Sequence, residues 1–388
     1  MESKIPPEES GPRMDLSETQ KEARLRFRSF VRERISPYAA SWDREERVPI
    51  EIIDLLRRER FIGAPLPLEA GGGGMDPITY GLLTEEIARG CSSVRSLLTV
   101  HDMVASAIWR WGSRDLKAGV ASAAASGELI CAIALSEPEA GSDAAAVRTE
   151  AWLEGDQYVI NGRKKWTTFG QIADVFLVLA RCEDKLTAFL APANTPGLKR
   201  RPLRGMVGTR ASLLAEIEFD HCRVPASYLV GRAGFGLSHV VGTALDHGRY
   251  SVAWGSVGIA QACLDACMDY TSSRKQFGVE LREHQLVRRK LTNMIADTRA
   301  ARLLCYRAGY LRRIGDPGST SETLVAKYFA SKAAVRAANA AVQLHGANGL
   351  TEDYPVARYL RDAKVMEIIE GSTQIQQIAI ARSLPGEL

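Results

Sequence analysis

Apolar residues change their spacing twice along this chain, and the two changes divide it into three parts. From about Ser17 to Ser126 they recur at helical intervals; Ile52, Leu55 and Leu56, for example, share one face at i, i+3 and i+4. Gly71 to Gly74 interrupts this part and reads as a loop, since no strand precedes it to make the four glycines a phosphate cradle. From about Cys131 to Pro225 the period is that of strands: Asp174–Ala180 and Leu186–Leu190 are continuous apolar runs, and Ala215–Phe219 alternates as a half-exposed strand would. Asn161-Gly162, between Tyr158–Ile160 and Lys164–Trp166, has the chemistry of a hairpin turn, and Glu154-Gly155-Asp156 marks another. After Gly236 the helical period returns. Val287, Leu291, Met294 and Thr298 form one stripe, and Asp316 to Gly318 breaks the helical region that follows it. Ser319 and Glu322 then predict a capping box for an alanine-rich helix ending near His345. The pattern predicts an α+β protein: a tail without regular structure over 1–15, a helical domain over 16–130, a β domain over 131–235 and a helical bundle over 236–388.

Composition adds exclusions. Of 388 residues 46% are hydrophobic and 25% charged, as in ordinary globular proteins, and the length suits two or three subdomains. The net charge of +4 is spread along the chain, so nucleic-acid binding is not expected. Seven cysteines form no CxxC pair and read as reduced thiols of a cytoplasmic protein. Six histidines form no HExxH or His/Cys cluster, so no metal site is expected. The first 15 residues lack the apolar core of a signal peptide, and the longest apolar run, Leu129–Leu135, is too short to span a bilayer. No membrane association is therefore expected.

Familiar nucleotide motifs are missing as well. Neither GxGxxG nor GxxxxGK[ST] occurs, the glycines at 231, 234 and 236 have the wrong spacing, and there is no GxSxG elbow. Any chemistry must rest on a cofactor held by another fold, or on a lone carboxylate.

Four segments carry the positive signal. They are Leu135–Asp143 (LSEPEAGSD), Asn161–Thr168 (NGRKKWTT), Ser273–Gly278 (SRKQFG) with Glu283–Gln285, and Gln343–Gly349 (QLHGANG) with Arg361–Lys364 and Glu370–Gln376 (EGSTQIQ). Each alone is commonplace. In this order and at this spacing, over about residues 17–384, they resemble the acyl-CoA dehydrogenase family. The resemblance implies an N-terminal helical domain, a central β domain, a C-terminal four-helix bundle and bound FAD.

It also implies roles by position. Ile133, Leu135 and Ser136, with the Gly141-Ser142 turn, are expected along the polar edge of the isoalloxazine, glycine permitting close approach and the serine hydroxyl donating. Ser142 is expected to reach the substrate too. Trp166, Thr167 and Thr168 are expected on the ring's other side; without this context Trp166 would read as a core aromatic. Arg274, Gln276, Phe277, His284 and Gln285 resemble residues that hold the diphosphate and adenine, and the guanidinium fork of Arg274 suits a diphosphate. Gln343, Leu344, Gly346 and Ala347 resemble a stretch bordering FAD across a subunit interface, which implies a homodimer or homotetramer. Ser372 and Gln374 are expected beside the cofactor.

Glu370 is the expected base. Taking a proton α to a thioester, with hydride leaving the β-carbon, needs an unpaired carboxylate over the α-carbon and flavin N5 on the opposite face. A dry pocket raises the pKa of such an acid, and backbone N–H groups stabilise the developing enolate. Gly371 leaves room for the thioester carbonyl. Some family members carry the base on an earlier helix, where this chain has Gly248. In that segment Asp246 and Arg249 match residues near the thioester arm; taken alone, either would be an ordinary surface charge. The chain departs from many fatty-acid members at Ile369, where they have tyrosine, and at the bulky Trp254. Together with Asp246–Gly255 and Val342–Gly349, these departures resemble the dehydrogenases of hydroxymalonyl- and methoxymalonyl-acyl-carrier-protein formation. A small acyl group on an acyl carrier protein, in polyketide or antibiotic biosynthesis, is therefore expected. A short or branched acyl-CoA, a prolyl-carrier-protein oxidase and a flavin oxidase or monooxygenase remain open alternatives. The electron acceptor stays open between a flavoprotein partner and oxygen.

Overall fold

The computed structural model of the chain describes residues 15–383, so the expected tail lies outside them except for Asp15. The first helix, α1 (Glu18–Arg34), opens on a capping box: the Gln20 N–H donates to Ser17 Oγ and the Ser17 N–H donates to Gln20 Oε1. After α2 (Ala39–Glu45) and the amphipathic α3 (Ile50–Arg58) come α4 (Pro77–Gly90) and α5 (Ser92–Trp111). Asp76 caps α4 by accepting from the N–H groups of Ile78 and Thr79, and Pro77 occupies the first helical position. The 71–74 loop is packed rather than free, because the N–H groups of Gly73, Gly74 and Met75 donate to carbonyls of residues 63–66. Two short helices, α6 (Arg114–Leu116) and α7 (Ser122–Ala125), close the region around a π-helical turn.

The sheet follows as β1 (Cys131–Ala134), β2 (Glu150–Glu154), β3 (Gln157–Thr167), β4 (Val175–Cys182), β5 (Lys185–Pro192), β6 (Leu198–Pro202), β7 (Ala215–Pro225) and β8 (Leu229–Val230). Its order is β6-β7-β3-β2-β4-β5-β8, and β1 pairs parallel to β4 with Cys131 opposite Val175. The β2–β3 hairpin turns at Glu154–Gln157, as its sequence predicts. Asn161-Gly162 does not turn. It lies inside β3 at a register shift against β7, and a Cβ at Gly162 would fall 2.6 Å from Thr149 Oγ1. The glycine there serves close approach of Thr149, not chain reversal.

The chain then becomes helical in α8 (Gly242–Ser273), α9 (Gln285–Ile314), α10 (Ser319–His345), α11 (Val356–Met366) and α12 (Thr373–Arg382), with a two-stranded ribbon, β9 (Lys275–Gln276) and β10 (Val279–Glu280), after α8. The box expected at Ser319–Glu322 is absent: Gly318 is the cap residue, Asp316 Oδ1 accepts from its N–H, and Glu322 pairs with Arg307. No side chain caps the first turn of this helix. Helix α8 is the axis of the molecule, with α4, α5, α9, α10 and α11 packed around it. All seven cysteines are buried free thiols, and no described helix is long and apolar enough to cross a membrane.

Candidate active site

Glu370 stands in the turn between α11 and α12, in left-handed backbone (φ 55°), followed by Gly371 at φ 92°. A non-glycine residue there is strained by about 1–2 kcal/mol, and the surroundings hold it. Arg249 Nε and Gln376 Nε2 donate to the Glu370 carbonyl at 3.1 and 3.0 Å, and Lys327 Nζ donates to the Gly371 carbonyl at 2.7 Å. Neither Glu370 nor Gly371 has an acceptor for its N–H among the described residues. Two backbone donors are thus free beside the acid.

The acid itself is desolvated. Glu370 as a residue is partly exposed, yet its Oε2 is shut off from solvent and has no hydrogen-bond partner. Burial pushes its pKa up, and Arg249, Lys327 and Arg95 oppose that shift. The space it fills exists because α8 carries glycine at 248: a Cβ there would lie 2.7 Å from Glu370 Oε2 and 2.7 Å from Met103 Sδ.

Behind the acid, α4, α5 and α8 bring together polar side chains inside an otherwise apolar core. Arg95 is wholly buried; its guanidinium donates to Thr99 Oγ1 at 2.9 Å and touches Met366 Sδ, while its Nε has no partner. Burial pulls its pKa down to about 10. Thr99 Oγ1 lies 2.6 Å from Ser251 Oγ, and Tyr80 Oη lies 3.0 Å from His247 Nε2. Burial keeps His247 neutral by pulling it down to about 3. Asp102 accepts from the Gly63 N–H through Oδ1, leaves Oδ2 unpartnered, and is pushed well up by burial. Asp246, expected near the thioester arm, pairs with Arg312 at 2.7 Å and leaves Oδ1 unpartnered. Arg249, expected on the same arm, commits its Nε to the base turn.

The expected flavin-edge residues gather where β1 and β3 meet. Lys164, wholly buried, donates to the Leu135 carbonyl (3.0 Å) and to Glu137 Oε1 (2.8 Å), and the Lys165 N–H donates to the Ser136 carbonyl. Glu137 also accepts from Thr149 and from the Arg148 and Thr149 N–H groups. Burial would raise Glu137, but these donors hold it below its ordinary value, and burial pulls Lys164 down to about 8. The loop is thereby fixed from inside, while Gly141 and Ser142 stay exposed. Ile133, Leu135, Ser136 and Thr168 are partly exposed, Trp166 is 48% exposed, and Thr167 Oγ1 is buried without a partner. Ser372 caps α12, accepting from the Ile375 N–H, and Gln374 is exposed.

The remaining expected cofactor residues sit elsewhere. Arg274 follows α8, about 39 Å along its axis from Gly248 at the α-helical rise. Around it Gln276, Phe277 (95% exposed) and Gln285 stand in the open, with His284 edge-on to Phe277. Gln343, Gly346 and Ala347 are exposed at the end of α10, while the Leu344 side chain is buried in the bundle.

Sequence reasoning passed over Arg95, Thr99 and Lys327. The available signal was position: Arg95 interrupts a run buried on every face of α5, and Lys327 shares a buried face with Ala330 and Ala334 at i+3 and i+7.

An unpaired carboxylate oxygen shut off from solvent, beside free backbone donors on a helix–sheet–helix scaffold, is the arrangement a proton-abstracting enzyme would use. The chain belongs to the acyl-CoA dehydrogenase family, matching its N-terminal domain over residues 17–128, its middle domain over 132–222 and its C-terminal domain over 234–384. It is 37% identical over 377 residues to a probable acyl-CoA dehydrogenase, YngJ, of Bacillus subtilis, covering 95% of this chain and 99% of that one. A glutaryl-coenzyme A dehydrogenase solved with glutaryl-CoA is 35% identical, with a TM-score of 0.90 and 95% of each chain covered. FkbI, for biosynthesis of the methoxymalonyl extender unit of Fk520, is 32% identical with a TM-score of 0.86, covering 94% of this chain and all of that one. Members of the family are FAD-dependent oxidoreductases acting on acyl thioesters. The residues present fit that cofactor: the buried Thr167 hydroxyl lacks a partner, and a Cβ at Gly141 or Gly346 would meet nothing within 4 Å.

Proposed function

We propose that this enzyme removes the α-proton and β-hydride of a short acyl thioester carried on an acyl carrier protein, with Glu370 as base. The observation that carries the reading is the Oε2 of Glu370, sealed from water and unpartnered above Gly248. A carboxylate so placed is a strong base that loses no hydrogen bond when it takes a proton. The free N–H groups of Glu370 and Gly371 are the donors for the thioester oxygen. FAD, when bound, supplies the hydride acceptor. Residues 133–142 and 166–168, with Ser372 and Gln374, would hold its flavin end, and Arg274–Phe277, His284-Gln285 and Gln343–Ala347 of a second chain its adenine end. The distance of about 39 Å along α8 between Gly248, beneath the base, and Arg274 of the adenine-end group supports a homo-oligomer. The carrier-protein reading rests on likeness to FkbI.

Arg95 favours a sharper substrate. A wholly buried guanidinium with no carboxylate partner costs several kcal/mol, and an acyl group ending in a carboxylate would offset that cost. Trp254, fully buried with its indole against Gly81, fills the space a long chain would need. The likeness to a dehydrogenase solved with glutaryl-CoA agrees with a short acyl group of this kind.

Anaerobic mixing of the purified holoprotein with butyryl and glutaryl thioesters, on coenzyme A and on acyl carrier protein, tests the proposal. Flavin absorbance should bleach, fastest with the carrier-bound acid, and Glu370→Gln should slow bleaching at least 10³-fold. Arg95→Met should impair the glutaryl substrates more than the butyryl ones. Equal rates for Glu370→Gln and wild type would reject the assignment of the base.

A further inference from the structure

A lysine at the heart of an alanine-rich helix needs a reason. Lys327 is wholly buried in α10, where a methionine would pack without desolvating a charge. Its one hydrogen-bond partner among the described residues is the Gly371 carbonyl at 2.7 Å, and it forms no ion pair. That carbonyl belongs to the left-handed pair that carries the base. Gln376 reaches both carbonyls of the pair, at 3.0 and 3.2 Å, but it is neutral and leaves its own Oε1 unpartnered. Arg249 reaches only the first. Among the described residues Lys327 is therefore the one cation fixed to the second peptide of the turn.

We propose that Lys327 is a positioning residue for Glu370: its ammonium locks the Glu370–Gly371 turn through the Gly371 carbonyl and adds to the positive charge, chiefly that of Arg249, that favours the ionised base. This rests on the proposed role of Glu370 and adds what makes that role workable at neutral pH. Burial pushes the acid's pKa up and Lys327 is one of the cations that oppose the shift; a protonated acid cannot take the α-proton. The charged groups around the pair are Arg249 and Asp246 of α8, Arg312 of α9, Arg95 of α5, and Glu367 before the turn. Burial pulls Lys327 down to about 8, lower than the value of about 10 to which it pulls Arg95. Above about 8 the lysine should therefore hold the Gly371 carbonyl only through a weaker, neutral hydrogen bond, and the turn that carries the base should loosen.

The test is the rate of flavin bleaching by glutaryl-CoA or butyryl-CoA, whichever reduces wild type faster, from pH 6 to pH 10 in the holoenzyme, for wild type, Lys327→Met and Lys327→Arg. FAD content and melting temperature are measured in parallel. Wild type should show an acid limb and an alkaline limb near 8. Lys327→Met should fall about tenfold or more and move its acid limb up by about one pH unit, since Glu370 loses a stabilising cation. Lys327→Arg should keep the acid limb and lose the alkaline one. A uniform loss of rate in Lys327→Met, with both limbs unmoved, would mark the lysine as merely structural and overturn the proposal. If Lys327→Met fails to fold or to keep FAD, Lys327→Arg decides: an unchanged alkaline limb overturns the proposal and a lost limb supports it. Wild-type protein that no acyl thioester bleaches would instead reject the reading of Glu370 itself.

Discussion

Replacing Gly248 by alanine puts the geometry of the base to a direct test. The new methyl would sit 2.7 Å from Glu370 Oε2, where ordinary contact begins at 3.4 Å, so the carboxylate must withdraw by about 0.7 Å. Met103 Sδ, equally close, can swing aside because methionine is unbranched. Glu370 has less freedom, since Arg249, Lys327 and Gln376 hold the peptides on both sides of its turn. Displacement of a reacting group by about 1 Å costs roughly 10²-fold in rate, so 0.7 Å should cost about 10- to 50-fold, or about 1.4–2.3 kcal/mol of barrier. Overpacking should also lower stability by about 1–3 kcal/mol. The assay is anaerobic stopped-flow reduction at saturating thioester, with FAD content and melting temperature measured on the same preparation. A variant that melts lower yet reduces its flavin at the wild-type rate would refute the placement of the carboxylate against α8.

Two other substitutions probe groups that hold the site rather than act in it. Lys164→Met leaves Glu137 buried without its cation and frees the Leu135 carbonyl, so stability should fall by about 3–5 kcal/mol. Thermal release of FAD should precede loss of helical ellipticity, and unchanged melting and FAD retention would count against the role. Asp102→Asn tests the raised acid of α5. Because its folded pKa lies above the ordinary value, the protonated form stabilises the fold, and that contribution is lost as pH rises from about 4 through the folded value. Asparagine can still accept from the Gly63 N–H. The melting temperature of Asp102→Asn relative to wild type should therefore rise between pH 5 and pH 8, and a difference independent of pH would contradict it.

Much of this architecture was legible because burial enforces periodicity. The alternating and continuous runs at 174–190 became β4 and β5, and the stripe through Leu291, Met294 and Thr298 became the inner face of α9. Local signals failed where tertiary contacts overrode them. Asn161-Gly162 has turn chemistry, but pairing with β7 on one side and Thr149 on the other kept β3 continuous. At α10 the side chain of Asp316, two residues before the cap, reached Gly318 first. Glu370 was singled out through its motif; the clamp on its turn was not legible, because Lys327 and Arg249 come from helices more than 40 residues away in sequence. Arg95 was missed for a related reason: only packing shows that no acid meets it.

Helix α8 is a single uninterrupted rod of 32 residues, about 48 Å long. It places the floor beneath the carboxylate and the exposed patch after Ser273 on one rigid ruler. Inserting or deleting a single residue between them would turn the distal patch by about 100° and shift it by about 1.5 Å. A change in the length of this rod would therefore move the two ends of the proposed cofactor site relative to each other.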